Sequence, residues 1–342
     1  MIDPHVHLRD WEQANKETVC HGLKIANDIG LDAVFEMPNT EPLIIDEKTV
    51  LQRIKLANSC NVNIFHGLFI GLTSEKEQIK NVVKLHKDLF PRVVGLKLFA
   101  GTSTGSLAVT EYGFQKFVFR TLGKANYRGV VAVHCENIKE FQNEKWNPQN
   151  PITHSEVRPP EAEISSVKNI LKIAQETKFK GTVHICHVSV PESVREIEKA
   201  KKENEIKVSC GVTIHHSLLN KQMMKKSNGI LLKVNPPLRD IDMQNELFQM
   251  LLDKRIDIIE TDHAPHLLID KIRKPYASGI PALSFYPKFI KILKENGMSE
   301  KDIEDLTHNN INKIYNTTIP HKHKIAKEIG KDEYEFDPFE FL

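Results

Sequence analysis

Short apolar, β-branched runs alternate along the chain with longer stretches whose apolar residues recur every three to four positions. The short runs read as strands: DPHVHL (3–8), DAVFEM (32–37), VNIFHGLFI (62–70), VVGLKLF (93–99), GVVAVHC (129–135), TVHICHV (182–188), IKVSCGV (206–212) and IDIIETD (256–262). Between them lie stretches with the helical period, such as KETVCHGLKIANDIG, DEKTVLQRIKLANS, PEAEISSVKNILKIAQET and VPESVREIEKAKKEN. Eight strand patterns, each followed by helix-length sequence, predict parallel strands joined by crossover helices. Two α/β architectures satisfy that order, an open doubly wound sheet and a closed (β/α)8 TIM barrel. No GxGxxG opens the first crossover, which weakens the nucleotide-binding form of the open sheet. A barrel would take residues 1–314. The remaining 315–342 are charged and poorly periodic, and are expected to form a partly ordered extension rather than a domain.

Composition narrows the choice of partner. The 342 residues carry 47 Lys and Arg against 45 Asp and Glu, a formal charge of +2, with the two signs interspersed. Nothing there argues for nucleic acid or a membrane surface. No run of about 18 apolar residues occurs, and residues 1–20 carry charges and histidines where a leader would be apolar. The five cysteines are odd in number and contain no CxxC pair, which suits a reduced, cytoplasmic setting.

The ionisable residues fall at telling places. His5 and His7 are two apart, so on a strand they face the same way while Val6 faces away. Lys97 stands near the end of the fourth strand pattern, His134 ends the fifth, His187 the sixth and Asp262 the eighth. In a barrel all C-terminal strand ends meet on one face, where active sites form. Imidazole and carboxylate donors suit Zn²⁺, and a catalytic zinc keeps a position open for water. The pair at His5 and His7 is then half of a metal site.

Taken in order, DPHVHLRD, MPNTEP, VVGLKLFAGTSTG, VAVHCEN, VHICHV, KVNPPLR and TDHAPH resemble the dihydroorotases of the amidohydrolase superfamily, over roughly residues 3–285. HxH alone is a weak motif; HxHxR, MPNT and DHAPH together are strong. The resemblance implies two zinc ions per chain. His5, His7 and Asp262 would hold one, His134 and His187 the other, with Lys97, carboxylated on its amine by CO₂, bridging them. A free ammonium cannot ligate, whereas a carbamate is an anionic two-oxygen bridge. The implied reaction is the reversible cyclisation of N-carbamoyl-L-aspartate to (S)-dihydroorotate in pyrimidine (UMP) biosynthesis, by a zinc-bound hydroxide with Asp262 as proton shuttle. Arg9, Asn39 and His266 match the family's grip on the substrate carboxylate, and Asn235 matches a contact to the pyrimidine ring. Small molecules would be the only substrates, and a homodimer is compatible with the match.

Two departures stand out. Relatives usually begin with a small β-sandwich of about 50 residues completed by the C-terminal segment; here the barrel motif starts at Asp3, so the sandwich is expected to be missing or vestigial. In GIPALSFYP, Ala282 and Ser284 replace the usual second glycine and glutamate.

Plainer readings apply to the other histidines and cysteines. Strand alternation would put His184 opposite His187, as a packing residue. His263 would support the ligands, and His215 and His216 would be structural. His21, His66, His86, His154, His308, His321 and His323 would be solvated or packed, and Cys135 and Cys186 would act as small buried hydrophobes. Competing functions are another cyclic-amide hydrolase, of allantoinase or hydantoinase type, or an inactive scaffold. A carboxylate clamp is wasted on a hydantoin lacking that group, and inactive relatives typically lose ligands; here all six positions are retained.

Overall fold

Eight parallel strands, in sequence order around one sheet, carry the molecule: β1 (Ile2–Val6), β2 (Ala33–Glu36), β3 (Phe65–Gly71), β4 (Val93–Phe99), β5 (Val130–His134), β6 (Thr182–Ile185), β7 (Lys207–Thr213) and β8 (Ile258–Glu260). The computed structural model describes residues 1–102, 107–322 and 334–342. Ser103, Thr104 and Gly105 of the motif after β4, and His323, lie outside the described residues. The β1 and β8 edges meet through a bridge between Val6 and His263, with the His7 N–H donating to the His263 carbonyl at 2.8 Å. That contact closes the sheet into the expected (β/α)8 barrel.

All eight strand patterns are strands; the fourth and seventh keep their full length, and the other six are shorter than their sequences suggest. The third starts at Phe65 rather than Val62, the sixth stops at Ile185, and the eighth keeps only three residues. The helices follow local rules. Thr18 caps the helix Val19–Asp28 by accepting from the His21 N–H, and Asp46 forms a capping box with Thr49 ahead of Glu47–Ser59. Proline opens the helices Pro160–Glu176 and Pro191–Glu203, where its missing N–H costs nothing. Their apolar faces, through residues such as Leu23, Val50, Ile170 and Val194, cover the outer side of the strands.

Inside the barrel the N-terminal half is apolar. Phe35, Phe69, Val94, Ala132 and Ile258 fill it, and Tyr315 plugs the end, its ring 5.2 Å from Phe35 and 5.8 Å from Phe69. The C-terminal half is left for ionisable side chains. The described end of the chain packs too: Phe339 stacks on Phe285 with centroids 3.9 Å apart, and Tyr334 donates its hydroxyl to Glu17.

Two findings depart from the sequence expectations. Cys20 and Cys60 form a disulfide between the first two helical segments, while Cys135, Cys186 and Cys210 are free and buried. A pairing 40 residues apart leaves no local spacing to read. His66, expected to be solvated or packed, accompanies a buried ion pair in which Arg53 donates to Glu36, with His66 Nε2 2.9 Å from Glu36. Burial alone would raise the Glu36 carboxyl, but Arg53 and His66 overrule it and hold the group at about 2. Arg53→Met is therefore expected to lower unfolding stability by about 3–5 kcal/mol, because it strands a buried carboxylate. The urea midpoint against the unchanged chain checks this; a shift within error would mean that Glu36 needs no partner.

Among the described residues, no helix is long and apolar enough to cross a membrane.

Candidate active site

Four imidazoles form a row across the C-terminal mouth of the barrel. Ring centroids are 5.4 Å apart from His7 to His5, 5.0 Å from His5 to His187 and 5.0 Å from His187 to His134. Asp262 Oδ1 lies 2.9 Å from His7 Nε2 and 3.3 Å from His5 Nε2. All five side chains are buried, and donor atoms of His5, His187 and Asp262 fall within 4.8 Å of one another. Burial, with Lys97 nearby, keeps the His5 imidazole well below its usual range, and burial does the same for His187. Neutral rings are the form that binds a metal.

His187 and Asp262 reach this face by a route that alternation did not anticipate. Each lies two residues past its strand, with φ of 31° and 48°. These left-handed turns break the strand register. The expectation that His184 faces away from His187 is accordingly corrected. His184 lies inside the barrel under the site, with Nδ1 2.9 Å from Ser209 Oγ and Nε2 3.9 Å from Glu260, although it remains a packing histidine.

Lys97 is fully buried on β4, with Nζ donating to Cys186 Sγ at 3.1 Å and standing 5.0 Å from the Phe99 ring centroid. Among the described residues no carboxylate pairs with it. A buried ammonium whose direct contacts are a thiol and a ring, with the Glu260 carboxylate near but not paired, is a costly arrangement. Cys186 is thus more than a small hydrophobe: it is the lysine's polar contact.

Two buried carboxylates, which the motifs did not single out, orient the histidines. Glu260 Oε2 is 2.9 Å from His5 Nδ1, and its Oε1 accepts from the His187 main-chain N–H at 2.6 Å. Glu136 Oε2 is 3.0 Å from His134 Nε2 and pairs with Arg158. His5 is left with Nε2 to offer a ligand, and His134 with Nδ1. His187 Nδ1 is buried without a hydrogen-bond partner. Burial pushes the Glu260 carboxyl up to about 8, which a cation held beside it would reverse. Only glycine fits at position 211, where an added Cβ would come within 2.2 Å of Glu260 Oε1. This donor set, its fixed ring orientations and its orphaned imidazole nitrogen fit divalent metal such as zinc. Both carboxylates were within reach of sequence reasoning: Glu136 is two residues after His134, and Glu260 two before Asp262.

Three of the four residues expected to grip substrate line the same cavity. Its lining includes Arg9, Asn39 and Asn235 beside His5, His7, His134, His187 and Asp262. Arg9 begins a left-handed run with Asp10 and Trp11, at φ of 51°, 67° and 51°. Its Nε donates to the Pro265 carbonyl at 3.1 Å, and its Nη2 stands 3.1 Å from His266 Nε2. Burial lowers the guanidinium to about 10, so it stays charged at neutral pH. His266 sits behind Arg9, with Nδ1 buried and without a hydrogen-bond partner. Asn39 is buried in the loop beyond β2 rather than at the strand's end. Asn235 precedes a cis bond to Pro236, and His154 Nε2 lies 3.1 Å from its Oδ1. His154 is thus a packed residue, as expected, set against the segment that carries Asn235. The His263 ring packs beside the site: its Nε2 is 3.2 Å from Glu17, and its Nδ1 accepts from the Ala282 N–H at 3.0 Å. His216 holds the Pro236 carbonyl at 2.9 Å, and both ring nitrogens of His215 are buried without partners.

A buried row of histidines with a carboxylate at the C-terminal mouth of a (β/α)8 barrel is a candidate metal centre. The structure superposes on L-hydantoinase (dihydropyrimidinase) from Arthrobacter aurescens with a TM-score of 0.81, at 21% identity over 92% of this chain and 70% of that one. It also superposes on dihydroorotase from Campylobacter jejuni with a TM-score of 0.70, at 16% identity over 93% of this chain and 83% of that one. No protein-family model matches the chain. Sequence relatives are more specific. Dihydroorotase from Thermococcus kodakarensis is 35% identical over 288 residues, covering 83% of this chain and 59% of the relative. Dihydroorotase from Methanosarcina mazei is 30% identical over 350 residues, covering 98% of this chain and 74% of the relative. The chain belongs to the dihydroorotase family. It spans about three fifths of the length of the Thermococcus and Pyrococcus relatives it matches, at 59%, 63% and 57%.

Proposed function

We propose that the chain is a dihydroorotase, interconverting N-carbamoyl-L-aspartate and (S)-dihydroorotate in the cytoplasm as a step in pyrimidine synthesis. The barrel would comprise residues 1–314 and would act on small molecules; a homodimer is compatible with the family match. The observation that carries the reading is the meeting of Arg9 and His266, 3.1 Å apart, beside the row of histidines. A buried guanidinium next to a hydrolytic centre suits a ring that bears a carboxylate. In a reducing cytoplasm Cys20 and Cys60 would stand as a thiol pair with Cα atoms 5.0 Å apart.

His5, His7 and Asp262 would hold one zinc and His134 and His187 the other, with carboxylated Lys97 between them. When bound, the pair polarises the ring carbonyl and makes water nucleophilic near neutral pH. The chain's own residues do the rest. Arg9 and Asn39 hold the carboxylate, with His266 backing Arg9, and so fix the ring's distance from Asp262, while Asn235, steadied by His154, holds the ring edge. As water adds to the carbonyl carbon, Asp262 takes its proton. The ring C–N bond then breaks, and Asp262 returns the proton to the departing nitrogen. Cyclisation runs the same steps in reverse with loss of water.

The test compares Arg9→Met with the unchanged chain on dihydroorotate and on a ring analogue lacking the carboxylate. Zinc content should be unaltered. Activity on dihydroorotate should fall about ten- to a hundredfold in kcat/KM, the worth of one charge-assisted contact, while activity on the analogue changes far less. Equal loss on both, or a preference for allantoin or a hydantoin in the unchanged chain, would overturn the reading in favour of another cyclic-amide hydrolase.

A further inference from the structure

At the other end of the barrel, away from the histidine row, three residues distant in sequence come together. Asp32 stands just before β2, His308 lies in the π-turn Asp305–Asn309, and His321 follows the helix Asn310–Tyr315. One donor atom from each lies within 4.8 Å of the others. His321 Nδ1 is 2.8 Å from Asp32 Oδ2, and the two imidazole centroids are 5.1 Å apart. The Lys322 N–H donates to Asp32 Oδ1 at 2.8 Å, and the Met1 nitrogen donates to Asp32 Oδ2 and stands 3.3 Å from His321 Nδ1.

A second observation points to a ligand. His308 is only 6% exposed, its Nδ1 lies 3.3 Å from Asn309 Oδ1, and its Nε2 is buried with no hydrogen-bond partner. A buried ring nitrogen left unmatched is costly, and here it belongs to a cluster that already contains a carboxylate and a second imidazole. Packing needs explain a buried histidine, but not one set beside another histidine and a buried aspartate with a ring nitrogen left unpartnered.

We propose that Asp32, His308 and His321 form a divalent-metal site, suited to zinc, on the N-terminal face of the barrel and separate from the reacting centre. Two imidazoles and one carboxylate are a common zinc donor set, and the solvent-facing side of His321 leaves the fourth position to water. Ligand atoms around a tetrahedral zinc stand about 3.3 Å apart, given bonds of about 2.0–2.1 Å, so modest side-chain rotation from the observed spacing closes the site. The ion would replace the hydrogen bond between His321 and Asp32. It would tie the entry of β2 to the segment after the last helix, across 289 positions of sequence. Its work is structural.

The full-length chain and the double variant His308→Gln/His321→Gln are dialysed against the same micromolar free zinc, and bound zinc is counted by elemental analysis. The variant should hold one zinc fewer per chain, with turnover within about twofold of the unchanged protein. Added zinc should raise the melting temperature of the metal-stripped unchanged protein more than that of the variant. Equal zinc content in the two proteins would overturn the assignment, whatever either one's activity, since any ion retained by the variant lies elsewhere. If the double variant fails to fold, His321→Asn alone carries the test: its ring is partly exposed, and losing it should cost the same single equivalent. Unchanged stoichiometry there overturns the site.

Discussion

Lys97→Ala is expected to abolish turnover and strip metal, with activity partly restored by adding a short carboxylic acid such as acetate or propionate. The expected loss exceeds about a hundredfold, because even removing a partner that merely orients a ligand costs about 10–100-fold in such sites. The physical basis is the setting of Nζ: fully buried, 3.1 Å from Cys186 Sγ, and without a paired carboxylate among the described residues. As an ammonium the group lies near Glu260 but forms no ion pair with it. As a carbamate it would carry negative charge to the row of histidines, where cations would balance it. The alanine variant leaves a gap that a small carboxylate can enter, so rescue should track acid size and saturate with concentration. Zinc counts and rates with and without added acid decide the matter; near-normal turnover in Lys97→Ala would remove the bridge from the mechanism.

Asp262→Asn should be nearly as damaging, by about 10²–10⁴ in kcat, the usual worth of a positioned proton carrier. Asparagine keeps the size and one oxygen, so the contacts of 2.9 Å to His7 and 3.3 Å to His5 can survive in part. It cannot take a proton. The distinguishing readout is kcat against metal content: the rate should fall while zinc content stays close to that of the unchanged chain. A fall in rate that merely tracks lost zinc would make Asp262 a structural ligand only.

Much of this was legible before the structure. The eight strand patterns survive because parallel barrel strands are buried on both faces and read as unbroken apolar runs. His5, His7 and His134 obey simple alternation, so their convergence follows from the barrel alone. His187 and Asp262 do not, since their positions depend on left-handed residues past the strand ends that no periodicity encodes. Glu260 was hidden in plain view inside IDIIETD, because a carboxylate in a strand looks solvated until the barrel closes over it. The meeting of Asp32, His308 and His321 was invisible for a different reason. It depends on how the chain's last described helix docks beneath β1 and β2, which is tertiary information without a local signature.

The distribution of residues between strands and loops has an evolutionary corollary. The histidine row and Lys97 are anchored on or next to strands, where backbone movement would disrupt a whole barrel. Arg9, Asn39, Asn235 and His266 all sit on connecting segments that can lengthen, shorten or change sequence without moving a strand. Drift in those loops would change what lines the mouth while the row of histidines and Lys97 is inherited intact. Selection for a new substrate in the laboratory should therefore gather its changes within a few residues of Arg9, Asn39, Asn235 and His266, and leave positions 5, 7, 97, 134, 187 and 262 untouched.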